Sequence, residues 1–338
     1  MGKYLARVFF LIILVALAVL TEKVFIRKSV HTAKIRDFFS EKRDYDVLAF
    51  GPSYMYVTFS PVELFRNHGV RSYMLGSPMQ PINETYFFIK RALQEFKPKV
   101  VLLNANMIVF SPSQFIHKSA FVHEATDGYP ICLSKYEMIY NLHTDSAIDE
   151  FIFPLIKYHM RWKGLFKDDF LTNYFKNDFC GQMFYVGGGY TNNVAKYDID
   201  NCARGSIFAE NIYWLNRISD LVESYKIKLL LVNSPRYGGT TDGRLASLHD
   251  YAAAHGIDFL DLHLEFDKTG ISNNCDFHDG GHLNVYGAEK ATRYIGKWLT
   301  EHYNFNTNMT AECRTWWEHE VSRYDEAKQK AIAAAKKR

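Results

Sequence analysis

Short, mostly apolar runs alternate with longer amphipathic stretches along most of this chain. The runs are four to six residues long, and most are followed directly by glycine, serine or asparagine. Such runs are typical of strands buried on both faces, and the stretches between them are typical of crossover helices. The pattern predicts an α/β fold with a central parallel sheet. The predicted strands cover residues 45–50, 72–75, 100–103, 228–233 and 258–262.

The last amphipathic stretch covers residues 284–302 and has apolar residues at helical spacing. These residues are Val285, Ala288, Ala291, Ile295, Trp298 and Leu299. Such a stripe predicts a helix that packs on the sheet. His282 is then held just before the first turn of that helix.

The alternation fades between about residues 110 and 205, where residues 151–162 are aromatic and basic. We predict an insertion over one edge of the sheet, long enough to form a lid or one wall of a groove. Residues 303–338 are predicted to form a helical tail at the periphery, with binding to a membrane surface as the alternative. The α/β domain is predicted to cover residues 45–302.

An export signal is indicated at the N-terminus, where Lys3 and Arg7 precede thirteen apolar residues at 8–20. We predict that residues 1–28 are a signal peptide cleaved near Ala18 or an uncleaved anchor, and that residues 29–44 are a linker. A buried core helix is the third alternative. Basic residues after the run favour the opposite orientation. The prediction is a single-pass protein of the cell membrane with its catalytic domain outside the cytoplasm, or a secreted protein if the signal is cleaved.

Composition narrows the choice of partners. The 338 residues are 48% hydrophobic, which is enough for a large core, and the net charge of +3 from 40 basic and 37 acidic residues does not favour nucleic acid. The five cysteines form no CxxC pair, so neither a structural zinc site nor a redox motif is indicated. One or two disulfides remain open for an exported domain.

Candidate chemistry lies at the ends of the predicted strands. Ser53 and Gly76 follow the first two strands closely, and Asn106 follows the third. Parallel strands bring their carboxyl ends to one edge of the sheet, where ligands bind. Asp279 and His282 are three residues apart after the last strand, a spacing that suits an acid that orients a general base. Taken alone, this stretch favours Ser53 as a helix N-cap or a simple turn residue.

Together these positions resemble the SGNH (GDSL-like) hydrolase superfamily. The matches are Ser53 in Gly-Pro-Ser, Gly76 in Leu-Gly-Ser, Asn106 in Asn-Ala-Asn, and Asp279 with His282 in Asp-Gly-Gly-His. The resemblance is to the membrane-anchored branch that includes the D-alanyl-teichoic acid and alginate acetylation proteins. It implies a flavodoxin-like, three-layer fold with an N-terminal membrane helix and a helical, aromatic insertion.

The resemblance also implies a role for each residue. Ser53 would attack an ester carbonyl, His282 would accept its proton, and Asp279 would fix the imidazole. The backbone N–H groups of Ser53 and Gly76 and the amide of Asn106 would bind the oxyanion. Two residues depart from the family pattern. Pro52 stands where the family usually has Asp or another small polar residue. Asn104 stands where the family usually has glycine, so Asn104 remains an alternative to Asn106 as the oxyanion donor.

Residues 276–284, which include Asp279 and His282, are called the acid–base loop below, and two further side chains in it leave alternatives open. Asp276 also lies at a suitable spacing to orient His282, and His278 is a neighbouring imidazole. A metal site is chemically conceivable for this Asp/His cluster, but no third cluster of ligands is evident, and no metal or other cofactor is expected.

The expected function is that of a serine esterase or O-acyltransferase that acts on acyl groups, acetyl above all, of a cell-envelope or extracellular polysaccharide. The expected partners are an acylated glycan, the membrane and a membrane-bound acyl-donor protein. The alternative is a catalytically silent glycan-binding or scaffold protein on the same fold.

Overall fold

Five parallel strands form one sheet. The computed structural model describes residues 2–115, 119–142, 146–171, 179–187, 194, 198–236, 242–306 and 308–337. The strands are β1 (Val47–Phe50), β2 (Ser72–Leu75), β3 (Val100–Asn104), β4 (Lys228–Asn233) and β5 (Asp258–Asp261). Their order, β2-β1-β3-β4-β5, is the flavodoxin-like order. The predicted fold class is confirmed.

Helices connect the strands and extend the chain at both ends. They are α1 (Gly2–Phe25), α2 (Val30–Ser40), α3 (Ser53–Tyr56), α4 (Pro61–His68), α5 (Ile82–Glu95), α6 (Asn106–Val109), α7 (Ser119–Thr126), α8 (Leu133–Tyr140), α9 (Asp149–Ile152), α10 (Leu155–Tyr158), α11 (Ala209–Ser224), α12 (Asp242–Ala254), α13 (Phe266–Thr269), α14 (Val285–His302) and α15 (Ala311–Ala335). Short 3₁₀ helices cover Pro112–Phe115, His159–Gly164, Lys167–Phe170 and Phe179–Gly181.

The sheet separates two apolar layers because successive strand residues point to opposite faces. In β1, Leu48 and Phe50 pack with α2, α5 and α11, whereas Val47 and Ala49 pack with the layer that contains α14. The strand side chains are apolar on both faces, as expected for a sheet covered by helices on both sides. These are the three layers that the sequence pattern predicts.

Two segments outside the predicted α/β domain contribute to its core. Helix α2 falls within the stretch 29–44 that we predicted to be a linker, yet Ile35 and Phe38 on this helix are completely buried. Helix α15 buries Trp317 and Tyr324, and it packs against α4. The boundaries of the domains stay predictions, but both segments belong to the packed body of the protein.

Helix α1 is different, because none of its residues is buried. Its 24 residues correspond to a length of about 36 Å, which exceeds the ~30 Å hydrocarbon core of a bilayer. It is long and apolar enough to cross a membrane or to act as a signal anchor. Elsewhere in the chain, all five cysteines lie in the described ranges and carry free thiols.

Candidate active site

Ser53 lies on a sharp turn between β1 and α3. Gly51 has φ of 151°, and a Cβ at this position would lie 2.6 Å from the Cβ of Asn104, so the turn requires glycine. The carbonyl of Pro52 accepts the N–H groups of Met55 and Tyr56. Proline fits this position because an N–H group at the start of a helix has no partner within the helix. The departure from the family pattern at Pro52 therefore leaves Ser53 as the first residue of α3, half-exposed.

The acid–base loop closes on itself. Phe277 pairs with Leu283 as an antiparallel bridge, and the N–H of His278 donates to the carbonyl of His282 at 2.8 Å. Oδ1 of Asp279 accepts the N–H groups of Gly281 at 2.8 Å and of His282 at 2.9 Å. The loop therefore fixes the carboxylate relative to the backbone that carries the imidazole.

The loop brings the histidine to the serine. Nδ1 of His282 lies 2.9 Å from both carboxylate oxygens of Asp279, and Nε2 lies 2.9 Å from Oγ of Ser53. A carboxylate only accepts hydrogen bonds, so the neutral imidazole carries its proton on Nδ1 and presents Nε2 as an acceptor. This tautomer is the one that allows Ser53 to donate its hydroxyl proton to His282.

Hydrogen bonds determine the protonation of the acid. Burial acts to raise the pKa of Asp279, but hydrogen bonds from the N–H of Gly281 and from the side chain and backbone of His282 outweigh it, so the pKa lies below its ordinary value. The carboxylate is therefore charged at neutral pH. Its two oxygens both lie within hydrogen-bonding distance of Nδ1 of His282.

Two tyrosines pack around the imidazole. The ring of Tyr54 stacks on His282 with centroids 5.3 Å apart and an angle of 15°, and Tyr185 contacts it edge-on at 6.2 Å. Burial raises the pKa of Tyr54, with Arg236 acting in the opposite direction, so the phenol stays neutral. These contacts restrict rotation of the ring, but the sequence reasoning did not identify either tyrosine.

Tyr185 belongs to the segment 179–187, which lies between β3 and β4 in the chain and contacts both halves of the site. The N–H of Met183 donates to the carbonyl of Tyr56 on α3, and the carbonyl of Tyr185 accepts the N–H of Val285 on α14. This segment thus links α3, which begins at Ser53, to α14, which begins three residues after His282. No sequence pattern around residue 185 indicated this position.

The expected oxyanion donors lie at neighbouring strand ends. Phe50 pairs with Leu75 on one side and with Leu103 on the other, so the turn after β1 lies beside Gly76 and Asn104. A Cβ at Gly76 would lie 2.0 Å from the carbonyl oxygen of Gly51, so only glycine permits this close approach. The loop after Gly76 is held in turn by hydrogen bonds.

Those hydrogen bonds start from Ser77. Its N–H donates to Oε1 of Gln80 at 2.7 Å, and its hydroxyl donates to Oε1 of Glu84 at 2.8 Å. Burial raises the pKa of Glu84 to about 8, so this carboxyl is mostly protonated at neutral pH.

The choice between Asn106 and Asn104 follows from their amides. The Oδ1 of Asn106 accepts the N–H of Ser234 at 3.2 Å, and because a backbone N–H can only donate, this contact orients the amide. Its Nδ2 is buried and has no hydrogen-bond partner in the described parts of the chain. Nδ2 of Asn104, in contrast, donates to Asn106 Oδ1 and to Ser234 Oγ. Asn106 is therefore the better candidate for an oxyanion donor.

Asp276, the alternative partner for His282, has other contacts. Its buried carboxylate accepts the N–H of Ser272 at 2.7 Å and pairs with Nζ of Lys290 at 2.7 Å. His278 stacks on Tyr185 with centroids 4.1 Å apart. Within the described ranges, no group of three or more His, Cys, Asp or Glu side chains is arranged to hold a metal ion.

A second Asp–His pair lies at the end of β5, and the sequence reasoning did not identify it. Oδ2 of Asp261 lies 3.2 Å from Nε2 of His249, and Oδ1 accepts from Nδ2 of Asn233 and from the N–H of His263, both at 2.8 Å. His249 stacks on Phe259. The pair faces a cleft of ≈ 330 Å³.

Comparisons with known proteins give little further guidance. No protein-family model matches this sequence, and no curated protein matches it. Among solved structures, the chain is similar to a protein of Bacteroides fragilis NCTC 9343 described as a "putative acylhydrolase", at 13% identity and a TM-score of 0.38. The match covers 78% of this chain and 92% of that one. A TM-score this low does not support a functional assignment, so the proposal below rests on the geometry of the site.

Proposed function

We propose that this protein is a serine esterase or O-acyltransferase in which Ser53 is the nucleophile, His282 the general base and Asp279 the residue that orients and stabilises the imidazole. The observation that carries the proposal is the continuous hydrogen-bonded chain from Asp279 through His282 to Ser53, with 2.9 Å at each contact. A nucleophile, a base and an orienting acid in this geometry are the requirements for covalent acyl transfer.

In the first step, Oγ of Ser53 attacks the carbonyl carbon of an ester while its proton moves to Nε2 of His282. The negative charge that forms on the carbonyl oxygen is stabilised by Nδ2 of Asn106 and by the N–H groups of Ser53 and Gly76. The C–O bond to the alcohol then breaks, and the alcohol takes the proton from His282. Ser53 is left acylated.

In the second step, water or a hydroxyl group loses its proton to His282 and attacks the acyl carbon. The bond from this carbon to Oγ of Ser53 then breaks, and His282 returns the proton to Oγ. Water gives hydrolysis, whereas the hydroxyl of a second sugar gives acyl transfer. Both reactions use the same residues. The identity of the acceptor that reaches the acyl group decides between them.

We propose an acylated glycan or glycopolymer of the cell envelope as the substrate, with acetyl as the acyl group and a membrane-bound acyl-donor protein as partner. Helix α1 supports a location at the membrane, because it is long and apolar enough to cross one. Tyr54 and Tyr185 support a sugar ligand, because both rings are only partly buried beside His282 and aromatic rings stack against sugars.

The test is turnover of a chromogenic acetyl ester by the full-length protein and by the Ser53→Ala variant. We expect turnover by the wild type and none above background by the variant. Equal turnover by both would contradict the proposed nucleophile. A folded wild type that does not turn over any acetyl ester would favour the silent glycan-binding or scaffold alternative.

An active enzyme is then given an acetylated polysaccharide as donor and a second glycan as acceptor. Acetyl groups on the acceptor identify a transferase, and free acetate alone identifies an esterase. The Ser53→Ala variant should form neither product.

A further inference from the structure

An unusual number of large apolar side chains is exposed on one part of the insertion. In residues 153–171 these include Phe153, Met160, Trp162, Phe166, Phe170 and Leu171, with Phe166 73% and Trp162 61% exposed. Soluble surfaces rarely expose large contiguous apolar areas without a partner. We call this region the 153–171 surface.

The 153–171 surface lies beside the end of α1. Helix α1 contacts α10 and the 3₁₀ helices His159–Gly164 and Lys167–Phe170. Arg161 joins them, because its guanidinium donates to the carbonyl of Phe25 at the end of α1 and to Oδ1 of Asp169. Residues 2–21 of α1 are exposed, whereas Glu22, Val24 and Phe25 are partly covered. The exposed apolar surface is therefore continuous with the apolar helix.

The charges of the 153–171 surface suit a membrane surface that carries anionic lipids. Residues 153–171 contain four basic side chains, Lys157, Arg161, Lys163 and Lys167, and two acidic ones, Asp168 and Asp169, so basic residues are in excess. Basic residues interleaved with exposed aromatic ones are typical of segments that lie in the headgroup region of a bilayer with anionic lipids. Trp162 also has the aromatic character that favours the membrane–water boundary.

Helix α2 shows which edge of the sheet lies near this region. Its first turn contacts the residues after β1, because the rings of His31 and Tyr56 are 5.3 Å apart. Its last turns contact Tyr45, two residues before β1, where the rings of Phe38 and Tyr45 are 5.9 Å apart. The chain therefore leaves α1 and enters the domain at the carboxyl edge of the sheet, the edge that carries Ser53.

We propose that the 153–171 surface inserts into the headgroup region of an anionic phospholipid bilayer next to the exit of α1. Helix α1 alone tethers the domain, and this second contact orients it. The carboxyl edge of the sheet then faces the membrane, so the acyl donor or acceptor is presented at the bilayer surface. Only this last consequence rests on the proposed function, whereas the insertion of the surface does not.

The test uses the full-length protein in nanodiscs of phosphatidylcholine and phosphatidylglycerol that contain lipids with a shallow doxyl quencher. The difference in fluorescence quenching between the wild type and Trp162→Phe gives the exposure of Trp162 to lipid. The matched control is Trp316→Phe. The ring of Trp316 packs against the guanidinium of Arg43, which precedes β1, so Trp316 lies at the edge of the sheet opposite to the one that carries Ser53. The Ser53→Ala variant should behave as the wild type, which separates this proposal from catalysis.

We expect the lipid quencher to act on Trp162 and iodide in the aqueous phase to act on it only weakly. Trp316→Phe should leave the lipid-dependent quenching unchanged. Quenching of Trp162 by iodide but not by lipid would overturn the proposal. Protection from both quenchers would also overturn it, because a second copy or a protein partner would then cover the surface.

A second variant, Phe166→Ser with Phe170→Ser, tests the contact without removing α1. Both side chains are exposed, so the fold should be retained, which circular dichroism checks. We expect loss of the lipid quenching of Trp162, and a weaker quenching of the wild type when phosphatidylglycerol is omitted. Unchanged lipid quenching in the folded double variant would contradict the proposal.

Discussion

Two aspartate–histidine pairs lie near the carboxyl edge of the sheet and differ in what the second imidazole nitrogen meets. In the Asp279–His282 pair, the other nitrogen lies 2.9 Å from the hydroxyl of Ser53. In the Asp261–His249 pair, His249 uses Nε2 for the carboxylate, and no hydroxyl of the described residues hydrogen-bonds to Nδ1. The same two residue types can therefore form a candidate proton relay or a structural link.

The two aspartates also differ in solvent exposure. The side chain of Asp261 is 1% exposed and that of Asp279 is 48% exposed. Asp261 is hydrogen-bonded to Asn233 on β4 and to His249 on α12, so it joins β4, β5 and α12. Asp279 instead sits on a glycine loop that turns the imidazole toward a half-exposed serine. A half-exposed hydroxyl 2.9 Å from the second imidazole nitrogen distinguishes the candidate site from the Asp261–His249 pair.

The largest difference is expected between the histidines. His282→Ala removes the proposed general base, and kcat should fall by about 10⁴- to 10⁶-fold. His249→Ala should keep kcat close to the wild-type value and cost about 1–3 kcal/mol of stability, because it removes one partner of a buried carboxylate. Steady-state kinetics with an acetyl ester and chemical denaturation measure both. Equal losses of kcat in the two variants would contradict the proposal that only His282 takes part in catalysis.

The acids should differ next. Asp279→Asn preserves the shape of the side chain but not its charge, and kcat should fall by about 10³- to 10⁴-fold. The control is Asp276→Asn, which weakens the buried contact with Lys290 and should lower stability but leave kcat almost unchanged. A larger loss of kcat in the control would make Asp276 the orienting acid.

A smaller effect is expected at the two asparagines. Asn106→Ala should reduce kcat by about 10²- to 10³-fold with little change in KM, because the oxyanion donor is used in the transition state. Asn106→Asp retains the acceptor for the N–H of Ser234 but removes the donor, so it should not restore activity. Asn233→Ala, which removes a donor to Asp261, should lower stability and not kcat. Recovery of activity in Asn106→Asp would exclude the oxyanion role.

The smallest effect concerns acid stability near the second pair. Burial lowers the pKa of His263, whose Nε2 accepts the N–H of Arg236 at 2.9 Å. The unfolded chain binds the proton more readily, so stability is full above pH ~6.5 and falls as the pH is lowered below it. His263→Gln should reduce this slope in Tm against pH. Burial also lowers the pKa of His31, to about 2, so part of the slope will persist in the variant. An unchanged slope would show that His263 does not contribute.

Much of the fold could be predicted because each strand is apolar on both faces and is followed by a polar turn. The five strands appear close to the predicted positions, and parallel order brings Ser53, Gly76 and Asn106 to one edge. Oγ of Ser53 and Nε2 of His282 lie 2.9 Å apart. The roles of these residues stay predictions until activity is measured.

Other features could not be read from local patterns. Helix α2 contains charged residues that suggest a linker, but its apolar side enters the core only through contacts with distant residues. Tyr185 reaches His282 because an irregular segment is held by hydrogen bonds to Tyr56 and Val285. The Asp261–His249 pair combines a strand end with a helix twelve residues earlier in the chain. Such positions depend on tertiary packing rather than on periodicity.

The most direct test is to map the adduct of a serine-reactive fluorophosphonate probe in the wild type, His282→Ala and His249→Ala. We expect a single adduct on Ser53 in the wild type and in His249→Ala, and its loss in folded His282→Ala. An adduct on another residue, or labelling of Ser53 at the wild-type rate in His282→Ala, would contradict the claim that His282 activates Ser53.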